Sequence, residues 1–197
     1  MDESFDRKYK KVLEILPDVA DCAKGNLILV GGTALALFYL KHRISVDLDF
    51  VPVIGEETKL KEELKGCLSK KGYRTISGAY SNQFVVQFED TSIKVEIFES
   101  DRRIRRIEEH IFGGMKIKVA SLDDIFQMKL SAYSERKEAR DLFDIFCMLK
   151  AKGGSFGMIK KLISKSGAPK NIGSIDTIVL GANDVAEFQK VISDASS

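Results

Sequence analysis

Two carboxylates, Asp47 and Asp49, stand one residue apart in a run that is otherwise apolar, with Val46, Leu48, Phe50 and Val51 around them. In an extended chain residues i and i+2 point to the same face, so both acids look the same way. Two acids side by side on a buried strand repel each other and resist ionising together. A cation between them lifts that penalty, and carboxylates with water and phosphate oxygens suit Mg2+, as one or two ions. Upstream, Gly31-Gly32-Thr33 follows the short apolar run Leu27 to Val30. The glycines permit a tight turn with close backbone approach. Thr33 opens a helix, Ala34 to Tyr39, whose first N–H groups can hold an anion such as a phosphate. A phosphate cradle and a metal-binding acid pair, joined by one helix and a loop, point to metal-assisted phosphoryl or nucleotidyl transfer.

Other residues add to this chemistry. Glu96 is a carboxylate in the middle of the apolar strand Lys94-Val95-Glu96-Ile97-Phe98, where Lys94, Glu96 and Phe98 share one face. It is either a third acid of the site or an edge-strand residue paired with Lys94 or Lys116. Arg102, Arg103, Arg105 and Arg106 form a basic cluster whose guanidinium forks suit phosphates; with Glu108 and Glu109 it could equally be a solvated helix or loop. Lys129 lies in a helix from Leu122 to about Ser134, ahead of Arg140, Asp141 and Asp144 in a helix from Glu138 to Lys150. Arg140 could bind substrate or pair with an acid, and Asp141 and Asp144 could orient Lys129 or another basic partner; the alternative for all three is a salt-bridge network between helices. His42 and Arg43 precede the aspartate strand and serve substrate contact or lock the loop.

GGTALAL (Gly31 to Leu37) followed by HRISVDLDF (His42 to Phe50) resembles the signature of the AbiEii/AbiGii toxin-type nucleotidyltransferases, within the DNA polymerase β-like superfamily. MKLSAYSERKEARDLFDIF (Met128 to Phe146) resembles that family's second signature, a lysine helix followed by Arg-Asp-x-x-Asp. The resemblance implies that Asp47, Asp49 and Glu96 are the catalytic and metal-binding acids, although relatives more often carry Asp at the third position. It implies that Gly31, Gly32, Thr33, Lys129, Arg140 and Asp141 bind the nucleotide, Lys129 through the triphosphate. It further implies an NTP substrate, Mg2+, an RNA acceptor such as the tRNA 3′ end, and a cognate antitoxin protein. Other branches nucleotidylate a protein or a small molecule, and a degenerate member would only bind nucleotide.

These residues need an α/β (α+β) frame: a nucleotidyltransferase core with a short mixed sheet flanked by helices over residues 1–120, and a helical C-terminal part over 121–197. The patterning predicts a first helix from Phe5 to about Leu16, kinked or restarted at Pro17, and a strand at Leu27 to Val30. It then predicts a helix at Glu56 to Lys71 and strands at Tyr73 to Ile76, Phe84 to Phe88, Ile93 to Phe98 and Lys116 to Val119. After Lys150 it predicts a helix at Phe156 to Ser164, a strand or helical piece at Ile175 to Leu180, and a last helix at Val185 to Ile192. With 197 residues and a formal net charge of +2, the chain suffices for one core with an appended subdomain, and its global charge does not select a partner. Cys22, Cys67 and Cys147 show no metal-ligand spacing, and three scattered cysteines predict a reducing compartment without a disulfide framework. The absence of an apolar run of membrane length and of a leader pattern predicts a cytoplasmic protein with no membrane contact. No G-x-S-x-G elbow or G-x-x-x-x-G-K-[ST] loop occurs, which argues against a serine hydrolase and a P-loop NTPase.

Overall fold

The computed structural model describes residues 3–175, 178 and 180–196. The chain divides into two compact units, one holding the chain up to Ala34 with Ser45–Ser121, the other Leu35–Ile44 with the chain from Leu122 onward.

The first unit is built on a seven-stranded mixed sheet in the order β3-β4-β5-β2-β1-β7-β6. Its strands are β1 (Leu27–Val30), β2 (Leu48–Pro52), β3 (Arg74–Ser77), β4 (Gln83–Gln87), β5 (Ser92–Ile97), β6 (Ile107–Phe112) and β7 (Met115–Ala120). β1 and β2 pair antiparallel, β2 and β5 parallel, and β1 and β7 parallel. In β5 Ile93, Val95 and Ile97 are buried while Lys94 and Glu96 are half-buried, so the predicted alternation holds. Leu48 and Phe50 of β2 are buried like Val95 and Ile97, opposite in phase to Asp47 and Asp49. Helices α1 (Glu3–Ala23) and α3 (Glu57–Lys70) pack on each other and on β5. They supply Val12, Ile15, Leu16, Val19, Leu64 and Leu68 to the core.

Three expectations need correction here. Helix α1 does not stop or restart at Pro17; it runs through to Ala23. The lost backbone bond is offset by burial of Ile15, Leu16, Val19 and Cys22 on both sides of the proline. The arginine-rich stretch is a loop that leads into a strand: residues 107–112 form β6, an edge strand paired with β7 across a Gly113-Gly114 turn. Cys22 and Cys67 form a disulfide, with Cα atoms 5.7 Å apart, because α1 and α3 lie side by side; Cys147 is free and buried.

The second unit contains a π-helical segment (Leu35–Leu40) and helices α4 (Leu122–Arg136), α5 (Ala139–Ala151), α6 (Gly157–Ser166) and α7 (Ala182–Ser196). The π-helix continues α2 (Gly31–Ala34), so the helix begins at Gly31 and not at Thr33. Phe143, Phe146 and Phe188 meet as a ring cluster that ties α5 to α7, and Phe156 stacks on Phe146. The piece expected at Ile175 to Leu180 falls partly on residues outside those described. No described helix is long and apolar enough to cross a membrane.

The disulfide bridges a sequence separation of 45 residues. Closing a loop of that size in the unfolded chain should stabilise the fold by about 2–4 kcal/mol. Denaturant unfolding with and without reductant should show this difference, and thiol titration of the unfolded, unreduced chain should find the Cys147 thiol alone.

Candidate active site

The acids of the sheet unit lie in one cross-strand row. Val30 at the end of β1 pairs with Asp49, Asp49 pairs with Glu96, and Glu96 pairs with Gln83. Residues paired across a sheet share a face, about 4.8 Å apart from strand to strand. Asp49 and Glu96 are therefore neighbours, and Asp47 lies on the same face two residues before Asp49. Glu96 sits on an interior strand, between β4 and β2. Asn82 Nδ2 donates to its Oε1 at 3.1 Å and Gln83 Nε2 to its Oε2 at 2.9 Å. Lys94 Nζ stands 3.4 Å from Glu96 Oε2 and 3.7 Å from Asp47 Oδ2. Burial pulls the Lys94 pKa down, but Asp47, Asp49 and Glu96 outweigh it and raise it above the ordinary lysine value. Lys94, Asn82 and Gln83 were not among the sequence candidates. Lys94 appeared there only as a partner that Glu96 might have, and that pairing exists alongside the acid row.

The glycine turn adjoins this row. Gly31 has φ +72°, and a Cβ on it would lie 2.7 Å from Asp49 Oδ2. Only a residue without a side chain lets the aspartate carboxylate and the helix start come this close. Thr33 Oγ1 donates to the Asp47 carbonyl oxygen at 2.5 Å, which ties the first helical turn to the aspartate segment. Gly32 and Thr33 are buried.

The acids fit a hard divalent cation by donor type and by placement on one face. Their present rotamers do not converge: among the described residues no three His, Cys, Asp or Glu side chains are grouped as a metal site. Glu96 is turned to its two amides, and an ammonium stands beside Asp47 and Glu96. The Arg102 to Arg106 segment follows β5, which carries Glu96, and its four arginines are exposed, with Arg106 paired to Glu108 at 2.9 Å.

In the helical unit the second signature is a buried ion network. Asp144 and Asp141 have no exposed surface. Lys129 Nζ bridges them, 2.7 Å from Asp144 Oδ2 and 2.9 Å from Asp141 Oδ1. Arg43 takes Asp144 with a fork, Nε at 2.6 Å and Nη2 at 2.8 Å, while Arg136 takes Asp141 the same way. His42 Nε2 lies 2.7 Å from Asp144 Oδ1, and its Nδ1 is buried with no hydrogen-bond partner among the described residues. Since a carboxylate only accepts, Nε2 carries the hydrogen. Arg140 points to solvent and takes no part. The sequence singled out Lys129, Asp141, Asp144 and His42, and the fold joins them; Arg136, seven residues on from Lys129, shares its helix face by spacing, whereas the Arg43–Asp144 fork, between residues 101 apart, had no sequence signal.

Burial would raise the Asp144 carboxyl, but Arg43, Lys129 and the His42 hydrogen bond hold it well below the ordinary value of 3.8. At Asp141 burial again pushes the carboxyl up, and Lys129 and Arg136 outweigh it and hold the group below its ordinary value. Both groups bind protons more weakly folded than unfolded. Their stabilisation is thus complete above the unfolded carboxyl range, near pH 4, and is lost as pH falls through the folded values. Asp144→Asn leaves Arg43 without its carboxylate partner and Lys129 with Asp141 alone, and should cost about 3–5 kcal/mol at neutral pH. Urea midpoints of wild type and variant should stay apart from pH 7 down to about 4 and converge only as pH falls further. Gly31→Ala should cost about 1–2 kcal/mol from the left-handed backbone alone; equilibrium unfolding measures this, and a larger loss should appear in nucleotide affinity.

Comparison with known proteins places this geometry. No curated protein matches the chain. Among solved structures it is similar to JHP933 from Helicobacter pylori, with 20% identity, a TM-score of 0.58, and coverage of 99% of this chain and 93% of that one. It is similar to an antigenic nucleotidyltransferase-like protein from Paracoccidioides brasiliensis, with 17% identity, a TM-score of 0.54 and coverage of 94% and 93%. It also resembles the antibiotic-resistance factor ANT(2'')-Ia, with 13% identity, a TM-score of 0.52 and coverage of 79% and 91%. These likenesses establish the fold. The family model described as nucleotidyl transferase AbiEii toxin, type IV toxin–antitoxin system, matches residues 15–194. The glycine turn, the acid row and the lysine–aspartate helices all fall inside that span, and the chain belongs to the AbiEii family of nucleotidyltransferase toxins.

Proposed function

We propose that this nucleotidyltransferase moves an NMP from an NTP to a hydroxyl of RNA, such as the tRNA 3′ end, with Mg2+ held by Asp47, Asp49 and Glu96. The observation that carries the reading is the pairing of Asp49 with Glu96 on adjacent strands, with Asp47 on the same face and Gly31 against the Asp49 carboxylate. Bound to these acids, Mg2+ would supply Lewis-acid stabilisation of negative charge on the phosphates. The backbone N–H groups of the first helical turn at Gly31, Gly32 and Thr33 lack carbonyl partners one turn back and suit the β- and γ-phosphates. Lys129 adds positive charge toward the triphosphate. Asp141 and Asp144 hold its ammonium in one place. Asp141 orients Lys129, and Arg140, on the solvent side of α5, is left for the nucleotide or the acceptor. The acceptor hydroxyl gives its proton to the Glu96 carboxylate as its oxygen attacks the α-phosphate, the bond to the bridging oxygen breaks, and pyrophosphate leaves.

The basic loop favours RNA over a small hydroxylated acceptor, because several exposed arginines close after the Glu96 strand suit a run of phosphates. The family describes the toxin of a type IV pair, and a cognate antitoxin is the protein partner we assign. We assign the cytoplasm as its place of action, where the Cys22–Cys67 pair would meet reducing conditions.

Incubation with each α-labelled NTP and Mg2+, in the presence of total RNA, protein and small hydroxylated acceptors, tests this. Label should enter tRNA, and Asp47→Asn or Asp49→Asn should reduce it by about 10²-fold or more, the scale of losing a preorganised electrostatic group. Replacing Arg102, Arg103, Arg105 and Arg106 by Ala should weaken RNA labelling while NTP binding persists. Label in protein or in a small acceptor would overturn the RNA assignment. Nucleotide binding with no transfer to any class would make the chain a binding module.

A further inference from the structure

Lys94 stands two residues before Glu96 and shares its face of β5. The parallel register pairs Leu48 with Val95 and Asp49 with Glu96, so one step back Lys94 stands beside Asp47. Its ammonium lies 3.7 Å from Asp47 and 3.4 Å from Glu96. Both separations exceed the 2.7–2.9 Å or so of a well-formed charge-assisted hydrogen bond, so the head is shared between acids and docked tightly to none. The side chain is 36% exposed, and a flexible four-carbon stem lets the head leave for water without uncovering the core. Glu96 does not depend on it for placement, since Asn82 and Gln83 each hold one of its oxygens.

We propose that Lys94 is the resident counter-cation of the acid row: its ammonium holds the charge position of a divalent cation, which enters only as Lys94 swings out. The inference rests on the reading of Asp47, Asp49 and Glu96 as cation ligands. Two positive charges within a few ångströms of the same carboxylates repel each other, so Lys94 lowers the affinity of the empty site for a free dication. A nucleotide reverses the balance. Its phosphates bring ligands for the cation and a new anionic partner for the displaced ammonium, so the cation is taken up with the triphosphate. Lys94 thus offsets the mutual repulsion of the acids between turnovers.

Mn2+ binding, read by calorimetry and by the Mn2+ EPR signal, tests this without relying on turnover. Without nucleotide, Lys94→Met should bind Mn2+ at least about tenfold more tightly than wild type, or about 1.4 kcal/mol. Lys94→Arg should stay near wild type, and Asp47→Asn combined with Lys94→Met should lose the gain. With a non-hydrolysable NTP analogue present, the difference between wild type and Lys94→Met should shrink. Lys94→Gln serves as the second neutral variant if Lys94→Met melts below wild type. Equal or weaker Mn2+ binding by a folded neutral variant overturns the inference. Wild type that binds Mn2+ with the analogue, and loses it in Asp49→Asn, keeps the cation reading of the acids even then. No Mn2+ binding by any form overturns both.

Discussion

Placing like charges next to each other on a folded surface is the constraint on which the sheet unit depends. The parallel register of β2 and β5 sets Asp49 beside Glu96, and the two-residue repeat adds Asp47 to the same face. Such a row is unfavourable unless every acid has a cation or a donor. Neighbouring strands meet this need: β4 with its preceding turn gives two amides, and β5 gives an ammonium. The backbone responds as well. Because the Asp49 carboxylate sits against the start of α2, the residue there must lack a Cβ and tolerate positive φ, and Gly31 does both.

The helical unit solves the converse problem. Two carboxylates with no exposed surface would be costly in isolation. They are compensated by an ammonium that bridges them and by two guanidinium forks, one on each. The bidentate geometry matters, since a fork satisfies both oxygens of a buried carboxylate where a point charge satisfies one. His42 then caps the Asp144 oxygen that Arg43 Nε also uses. Lys129 is therefore not a loose surface lysine awaiting a ligand. Its position is fixed by two acids, and any role toward a triphosphate is played from that fixed point.

Much of this was legible in the sequence because local periodicity carries it. The alternation in Lys94 to Phe98 foretold which side of β5 faces the core, and the glycine turn followed by Asp-x-Asp marked two connected elements. The arginine-rich stretch was harder. Ile107-Glu108-Glu109-His110-Ile111 alternates only partly and is half exposed, so its strand exists by virtue of pairing with β7 and not by its own pattern. Pro17 left a kink or a restart open, and the helix runs on through it to Ala23, with burial on both sides of the proline. The disulfide, the Arg43–Asp144 fork and the amide clamp on Glu96 are contacts between residues brought together only by folding. No spacing rule within one sequence reports them.

The two units handle their carboxylates differently. The sheet unit sets Asp47, Asp49 and Glu96 on one half-buried face with amides and an ammonium beside them; the helical unit buries Asp141 and Asp144 and meets them with Lys129, Arg43 and Arg136. The loop after β5 is different again: its four arginines are exposed and lie beyond the end of the Glu96 strand. The fold itself is shared at 13–20% identity with ANT(2'')-Ia and JHP933, so the layout of sheet and helices constrains far fewer residues than it contains.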